Sequence, residues 1–312
     1  MHAITVNEYG AAPALTELPD PHPGPRQVLI RVEAAGINPM DQSMAAGAWK
    51  ELMPGSFPFV LGADLAGLVE TVGEGAGRFQ AGEKVFGQLL IAPLGSAGTY
   101  AEYVAVAEDA PLARLPEGLE PTIAAALPTA GVTAMQIVET LGQLMEKTVL
   151  MVGAAGGVGS FAMQLAARAG GHVIAVARAD AAVRMRTYGA AETVDHTAVS
   201  VPDAVQQTHS DGIDVLVDLA SDADGFAALA ALVRSGGTAL TTRYFADTEA
   251  LASRGVAGVN FRVDMSSEAL ERVADLVVTE TIVVPPIKLI KLEDVPTLDP
   301  NAHSDGKTVI TP

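Results

Sequence analysis

The sequence predicts an α/β protein: a doubly wound parallel sheet joined to a second, barrel-like β domain. Three observations carry this. Val149-Leu-Met-Val-Gly-Ala-Ala-Gly-Gly-Val-Gly159 runs into helix formers at apolar helical spacing and then into His172-Val-Ile-Ala-Val-Ala-Arg178. Strand, glycine turn, helix and strand within about 30 residues is the dinucleotide-binding βαβ unit. From Lys147 onward, short apolar runs alternate with helical patterns, which implies a parallel sheet with right-handed crossovers. Before Gly118 the chain is dense in alternating apolar residues and turn glycines, as in a small barrel.

Taken in order, residues 27–34 alternate as a half-buried strand, 62–87 read as strands joined by tight turns, and 100–107 as another strand. After Pro116-Glu-Gly118 the pattern turns helical over 121–127 and 132–141. Strands are expected at 149–152, 173–176, 213–219 and 237–241, with helices at 160–169, 224–233 and 267–278. The tail from 282 regains strand and loop character, so it is expected to return to the first domain. The expected division is 1–118 with 280–312 for the barrel domain and 119–279 for the dinucleotide-binding domain.

Composition narrows the function. The chain has 312 residues, 49% hydrophobic and 18% charged, as in an ordered globular protein. A net charge of −18 disfavours nucleic acid or an anionic membrane as partner and leaves a small-molecule substrate as the expectation. With no cysteine, disulfides and thiolate metal sites are excluded. The stretch beginning Met-His-Ala-Ile-Thr-Val shows no basic and apolar leader pattern, and the charge-free run 148–167 is broken by glycines. A cytoplasmic protein is expected.

In the turn, Gly156 and Gly157 carry no Cβ, so a pyrophosphate can approach the amides at the helix N-terminus. Ala155 and Val158 are expected to share that contact, and Gly159 to let the helix pack close. Ala154 stands where the fingerprint has its first glycine. After the second strand, where an NAD site usually places Asp or Glu, stand Ala177 and Arg178. A guanidinium there suits the 2′-phosphate of NADPH, although Asp180 lies close. Ala220 and Thr241, at the ends of later strands, complete the expected cofactor contacts. Tyr244 follows the strand 237–241 and so falls at the carboxyl edge of the sheet.

Six motifs together resemble the medium-chain dehydrogenases and reductases, in their zinc-free quinone oxidoreductase branch. They are Ala34-Ala-Gly-Ile-Asn-Pro-Met-Asp41, Pro58-Phe-Val-Leu-Gly-Ala-Asp-Leu-Ala-Gly67 and Gly98-Thr-Tyr-Ala-Glu-Tyr103. Then come Ala124-Ala-Ala-Leu-Pro-Thr-Ala-Gly-Val-Thr-Ala134, Ala154-Ala-Gly-Gly-Val-Gly159 with Gln164, and Gly306-Lys-Thr-Val-Ile310. The resemblance implies a GroES-like barrel built from both parts of the chain and an inserted Rossmann domain. Zinc-dependent relatives place a Cys where this chain has Asn38, and a Gly-His-Glu where it has Gly62-Ala-Asp64. The histidines, at 2, 22, 172, 196, 209 and 303, show no metal-ligand spacing, so no metal is expected.

The resemblance further implies hydride delivery from NADPH to an already activated acceptor, a quinone or an α,β-unsaturated carbonyl. Asn38 is the expected donor to substrate or nicotinamide ribose, with bonding of its own turn before Pro39 as the other role open to it. Asp41 is expected to be structural. Tyr244 is the candidate proton donor, because the Tyr and Arg that many relatives carry are Ser43 and Ala45 here. Thr133 is expected at the nicotinamide, and Met44 and Trp49 at an apolar entrance or in the core. Two other functions stay open: an enoyl reductase of a biosynthetic, polyketide-like intermediate, or a non-catalytic NADPH-binding protein. Pairing of two copies through an edge strand near 258–263 is expected. Prolines in Val295-Pro-Thr-Leu-Asp-Pro-Asn301 interrupt a helix that relatives keep continuous.

Overall fold

In the computed structural model, which describes residues 1–299 and 305–312, the chain forms two compact units, 1–132 with 265–312 and 133–264. Pro300, Asn301 and His303 lie outside the described residues.

The first unit opens with β1 (His2–Val6), β2 (Ala14–Glu17), β3 (Gln27–Gly36), α1 (Pro39–Ala45), β4 (Phe59–Val60), β5 (Asp64–Val72) and β6 (Lys84–Gln88). It continues through β7 (Tyr103–Ala107), β8 (Leu112–Arg114) and α2 (Pro121–Ala124). Burial along β3 alternates for most of its length, the mark of a strand with one face on a core. That core gathers Ile30, Leu65, Phe79 and Leu112, each at most 2% exposed.

The second unit holds α3 (Thr133–Leu141), β9 (Thr148–Val152), α4 (Gly157–Arg168), β10 (His172–Val176), α5 (Ala182–Thr187), β11 (Glu192–Val194) and α6 (Val201–Thr208). It ends with β12 (Ile213–Asp218), α7 (Ala223–Ala230), β13 (Val233–Thr241), α8 (Thr248–Ser253) and β14 (Ala257–Asn260). Its six strands are parallel, in the order β11-β10-β9-β12-β13-β14. Numbered from β9 this is 3-2-1-4-5-6, the doubly wound dinucleotide-binding order. Every residue of β12 is buried, as expected for a strand covered on both faces. The run 148–167 is therefore strand, turn and helix, and no helix among the described residues is long and apolar enough to cross a membrane.

The chain then returns to the first unit through α9 (Ser267–Val278), β15 (Ile287–Lys291) and β16 (Lys307–Thr311). β16 pairs antiparallel with β3 in a seven-stranded sheet, so this part of the chain joins the barrel sheet. The divisions differ from the expected 118 and 280, and packing supplies the reason. α2 and the π-helical turn Pro128–Val132 lie on β3, β5 and β6, while α9 lies on β8 and on that turn. These segments read as helix, but their apolar faces belong to the barrel unit.

Candidate functional site

Four strand ends meet at one end of the barrel sheet. Gly36 closes β3 opposite Asp64, which opens β5 opposite Gln88 of β6, and Lys307 opens β16. Gly36 is required there, because a Cβ would lie 2.2 Å from the Ala125 carbonyl oxygen. Just past β3, Asn38 caps α1 in extended conformation, and the Asp41 carboxylate accepts from its N–H at 2.8 Å.

The side chains form one buried network. Asn38 Nδ2 donates to Asp64 Oδ2 at 2.9 Å and to the Gly36 carbonyl at 3.4 Å. Lys307 Nζ donates to Asn38 Oδ1 at 2.7 Å and to the Ile37 carbonyl at 2.9 Å. Thr129 donates its hydroxyl to Asp64 Oδ1 at 2.7 Å and its N–H to both carboxylate oxygens. Gln88 Nε2 donates to the Thr129 hydroxyl at 2.5 Å, and the Tyr100 hydroxyl to Asp41 Oδ2 at 2.6 Å.

Burial dominates the electrostatics. It lifts the Asp41 carboxyl to about 7, helped by the Asp64 charge and opposed by the Tyr100 hydrogen bond. Asp64 is also raised by burial, against the pull of Lys307 and Thr129. Burial lowers the Lys307 ammonium while the two carboxylates raise it, and the Tyr100 phenol is pushed well up. Asp41 Oδ1 is buried with no partner among the described residues.

In the second unit, the glycine turn lies where the strand order reverses. Gly153 takes φ +78°, and a Cβ on Gly159 would sit 2.2 Å from the Gly153 carbonyl oxygen, so these two glycines shape the turn. The left-handed residue thus falls one place before Ala154, whose N–H donates to the Val176 carbonyl at 3.2 Å. Gly156 is the N-cap of α4 and offers no side-chain cap, whereas α6, α7, α8 and α9 are capped by Ser200, Asp222, Asp247 and Ser266. A Cβ on Gly156 would meet only the Gly153 carbonyl, at 3.4 Å. The first amides of α4 thus have no side-chain cap, which fits an anion.

Of the other expected cofactor residues, Ala155 and Val158 lie in the turn and first helical turn, half-buried. Ala177 is buried just past β10, and Arg178 is exposed with no ion pair among the described residues. The Ala220 Cβ stands 3.3 Å from where a Gly153 Cβ would be, so the loop after β12 abuts the turn. Thr241 ends β13, buried, its Oγ1 accepting from Arg243 N–H, and Thr133 is buried at the start of α3. Tyr244 is 60% exposed at φ +62°.

Three placements bear on the roles expected of these residues. Asn38, expected to donate to a ligand, has both amide hydrogens directed at protein acceptors. Met44 is part of the barrel core, which leaves it no surface for an entrance, and Trp49 packs half-buried against that core. Ser43, in the place of the missing Tyr, donates to the Pro39 carbonyl of its own helix. Sequence reasoning missed Asp64 as a hub, and Tyr100, Thr129 and Lys307 altogether. Each lies inside one of the six motifs, and a lone polar residue in an apolar run was the available signal. It also missed Arg184, which reaches the Ala155 carbonyl in the glycine turn.

Residues 24–117 match the family described as "Alcohol dehydrogenase GroES-like domain", and 157–276 the family described as "Zinc-binding dehydrogenase". The human "Quinone oxidoreductase" is 30% identical over 277 residues, covering 86% of this chain and 78% of that protein. The chain belongs to the medium-chain dehydrogenase/reductase superfamily, in its quinone oxidoreductase branch. Among relatives in this branch, the "Chloroplast envelope quinone oxidoreductase homolog" of Arabidopsis thaliana is 36% identical over 205 residues. That match covers 63% of this chain and only 61% of the relative's length. The solved structure of the quinone oxidoreductase from Coxiella burnetii superposes with a TM-score of 0.88 at 26% identity, covering 100% of this chain and 99% of that one.

One family description names zinc, and the network tests whether a catalytic zinc fits here. Asn38 Oδ1 already accepts an ammonium, and both Asp64 oxygens accept from Thr129, with Oδ2 accepting from Asn38 as well. A dication beside Lys307 would face like charge with neither Cys nor His to bind it. The donor set of this quinone oxidoreductase-branch chain does not fit a tetrahedral zinc.

Proposed function

We propose that the protein is a zinc-independent oxidoreductase that uses NADPH to reduce quinones or α,β-unsaturated carbonyls. The observation that carries this reading is the uncapped α4 N-terminus at the switch point of the sheet, with unpaired Arg178 two residues past Val176. The names of the human and Coxiella burnetii relatives support the reaction class.

The α4 amides hold the pyrophosphate, and Arg178 holds the 2′-phosphate. Ala220 walls the turn from the side of β12, and Thr241 lies at the carboxyl end of β13. The bound nicotinamide supplies the hydride. An activated acceptor then needs orientation and a proton rather than a Lewis acid. Of the two expected donors, exposed Tyr244 takes that role, and Asn38 acts as a positioning residue that fixes Asp64 and Lys307. Two copies are proposed to pair through β14, an outer strand of the six-stranded sheet.

NADPH oxidation across a panel of quinones, enals and enones, repeated with NADH and with a chelator, tests this. Turnover with at least one acceptor, a preference for NADPH and indifference to chelation are expected. Failure with every acceptor despite NADPH binding would leave a nucleotide-binding protein. Loss on chelation in a protein whose far-UV circular dichroism shows it still folded would overturn the zinc-independent mechanism.

A further inference from the structure

The amino-terminal edge of the six-stranded sheet carries a cluster that the proposed chemistry does not use. His172 opens β10, Glu192 opens β11, and His209 caps the end of α6 before β12. In sequence they are 20 and 17 positions apart, which hid them from any search for local ligand spacing. The parallel pairing of β10 with β11 and the turn after α6 bring them together. Glu192 Oε1 lies 2.6 Å from His172 Nε2 and 2.9 Å from His209 Nε2, and the two rings stand edge to face with centroids 5.8 Å apart.

We propose that His172, Glu192 and His209 form a binding site for one divalent transition-metal ion of the zinc type. The three ligand atoms all lie within 4.8 Å of one another. Tetrahedral zinc with ligands at about 2.0–2.1 Å holds them roughly 3.4 Å apart, so modest rotations about side-chain bonds suffice. Two imidazoles and one carboxylate are a three-ligand zinc set, with water free to take the fourth position. Without a metal, both Nε2 atoms must carry protons to satisfy a single carboxylate oxygen. A dication replaces those two protons with one charge at the point where the three groups converge. The His172 side chain is 46% exposed and gives an ion access from solvent, while that of His209 is 18% exposed and holds the inner face.

The site lies at the opposite end of β10 from the dinucleotide turn, four residue steps or about 13 Å away. Its role is structural. It ties the three-residue edge strand β11 to β10 and to the turn before β12. Metal occupancy then raises stability by mass action without entering the reaction.

The test uses the full chain, stripped with EDTA and dialysed. Zn²⁺ is titrated against a chromophoric chelator, and Co²⁺ serves as a spectroscopic probe. One equivalent of Zn²⁺ per chain, Co²⁺ visible bands of a low-coordinate site, and a Zn²⁺-dependent rise in Tm are expected. His172→Asn and Glu192→Gln should each weaken Zn²⁺ binding at least about 10-fold and abolish the Tm rise, with NADPH binding unchanged. Comparing each variant with and without Zn²⁺ separates metal binding from the loss of the hydrogen-bonded cluster. If the wild-type protein takes up no equivalent, or if half-exposed His172→Asn binds Zn²⁺ as the wild type does, the three residues are only a hydrogen-bonded pin.

Discussion

Lys307 reaches across 269 positions of sequence to place its ammonium 2.7 Å from Asn38 Oδ1. The contact joins the start of β16 to the cap of α1, and it is a buried charge whose balancing carboxylates are Asp64 and Asp41.

Removing that charge alone leaves buried carboxylates without their counter-ion. Lys307→Met should therefore cost about 3–5 kcal/mol of stability, read from urea unfolding. Adding Asp64→Asn should recover part of the loss, because the remaining carboxylate no longer faces a second one. Additive losses in the double variant would show that the two residues do not act through charge.

Asp41 gives a pH signature. The ordinary carboxyl value is 3.8 and the folded value about 7, so between these the unfolded chain sheds its proton first. Stability should fall by about 1.4 kcal/mol per pH unit through that window, to a total of about 4 kcal/mol above pH 7. Below 3.8 the penalty is absent. Asp41→Asn cannot ionise and should lose this slope. Parallel urea midpoints for wild type and variant from pH 4 to 8 would rule it out.

The two glycines flanking the turn should respond differently. Gly159→Ala drives a Cβ against the Gly153 carbonyl and should lower Tm by several degrees. Gly156→Ala meets ordinary contact and should leave Tm nearly unchanged, while weakening NADPH binding where the pyrophosphate needs the space. Equal NADPH affinity in Gly156→Ala would place the pyrophosphate elsewhere.

Arg178→Ala should weaken NADPH binding by about 1–3 kcal/mol and leave NADH nearly unaffected, by titration of nucleotide fluorescence. A native preference for NADH would remove the basis of this assignment.

Tyr244→Phe tests the proton donor. It should lower kcat by about 100-fold with little change in the NADPH dissociation constant. Full turnover in the variant would hand the role to water.

The parallel sheet was legible because buried parallel strands are continuous apolar runs, as in Val149–Val152 and Ile213–Asp218. The glycine turn was legible because backbone constraint selects glycine at Gly153 and Gly159. The barrel network was not. Asp64 and Lys307 are single polar residues whose partners lie far away in sequence, and a polar residue in an apolar run looks the same whether it is a ligand or a buried tie. The bonding of Asn38 depends on β16, which no local pattern reveals. The compact units divide at other positions than the pattern suggests for a related reason. Ser267–Val278 reads as a helix, but nothing in its own periodicity tells which core it covers.

The bond from Lys307 to Asn38 also constrains the order of events on the ribosome. All six strands of the second unit lie in one continuous segment that can close on itself once residue 264 has emerged. The first unit cannot. Its sheet has β3 exposed to pairing along Val309 and Ile310, and its carboxylates uncompensated, until β16 has been translated. The inserted unit is free to be native while the barrel around Asp64 still waits, and chaperone protection would be needed longest by the part of the chain made first.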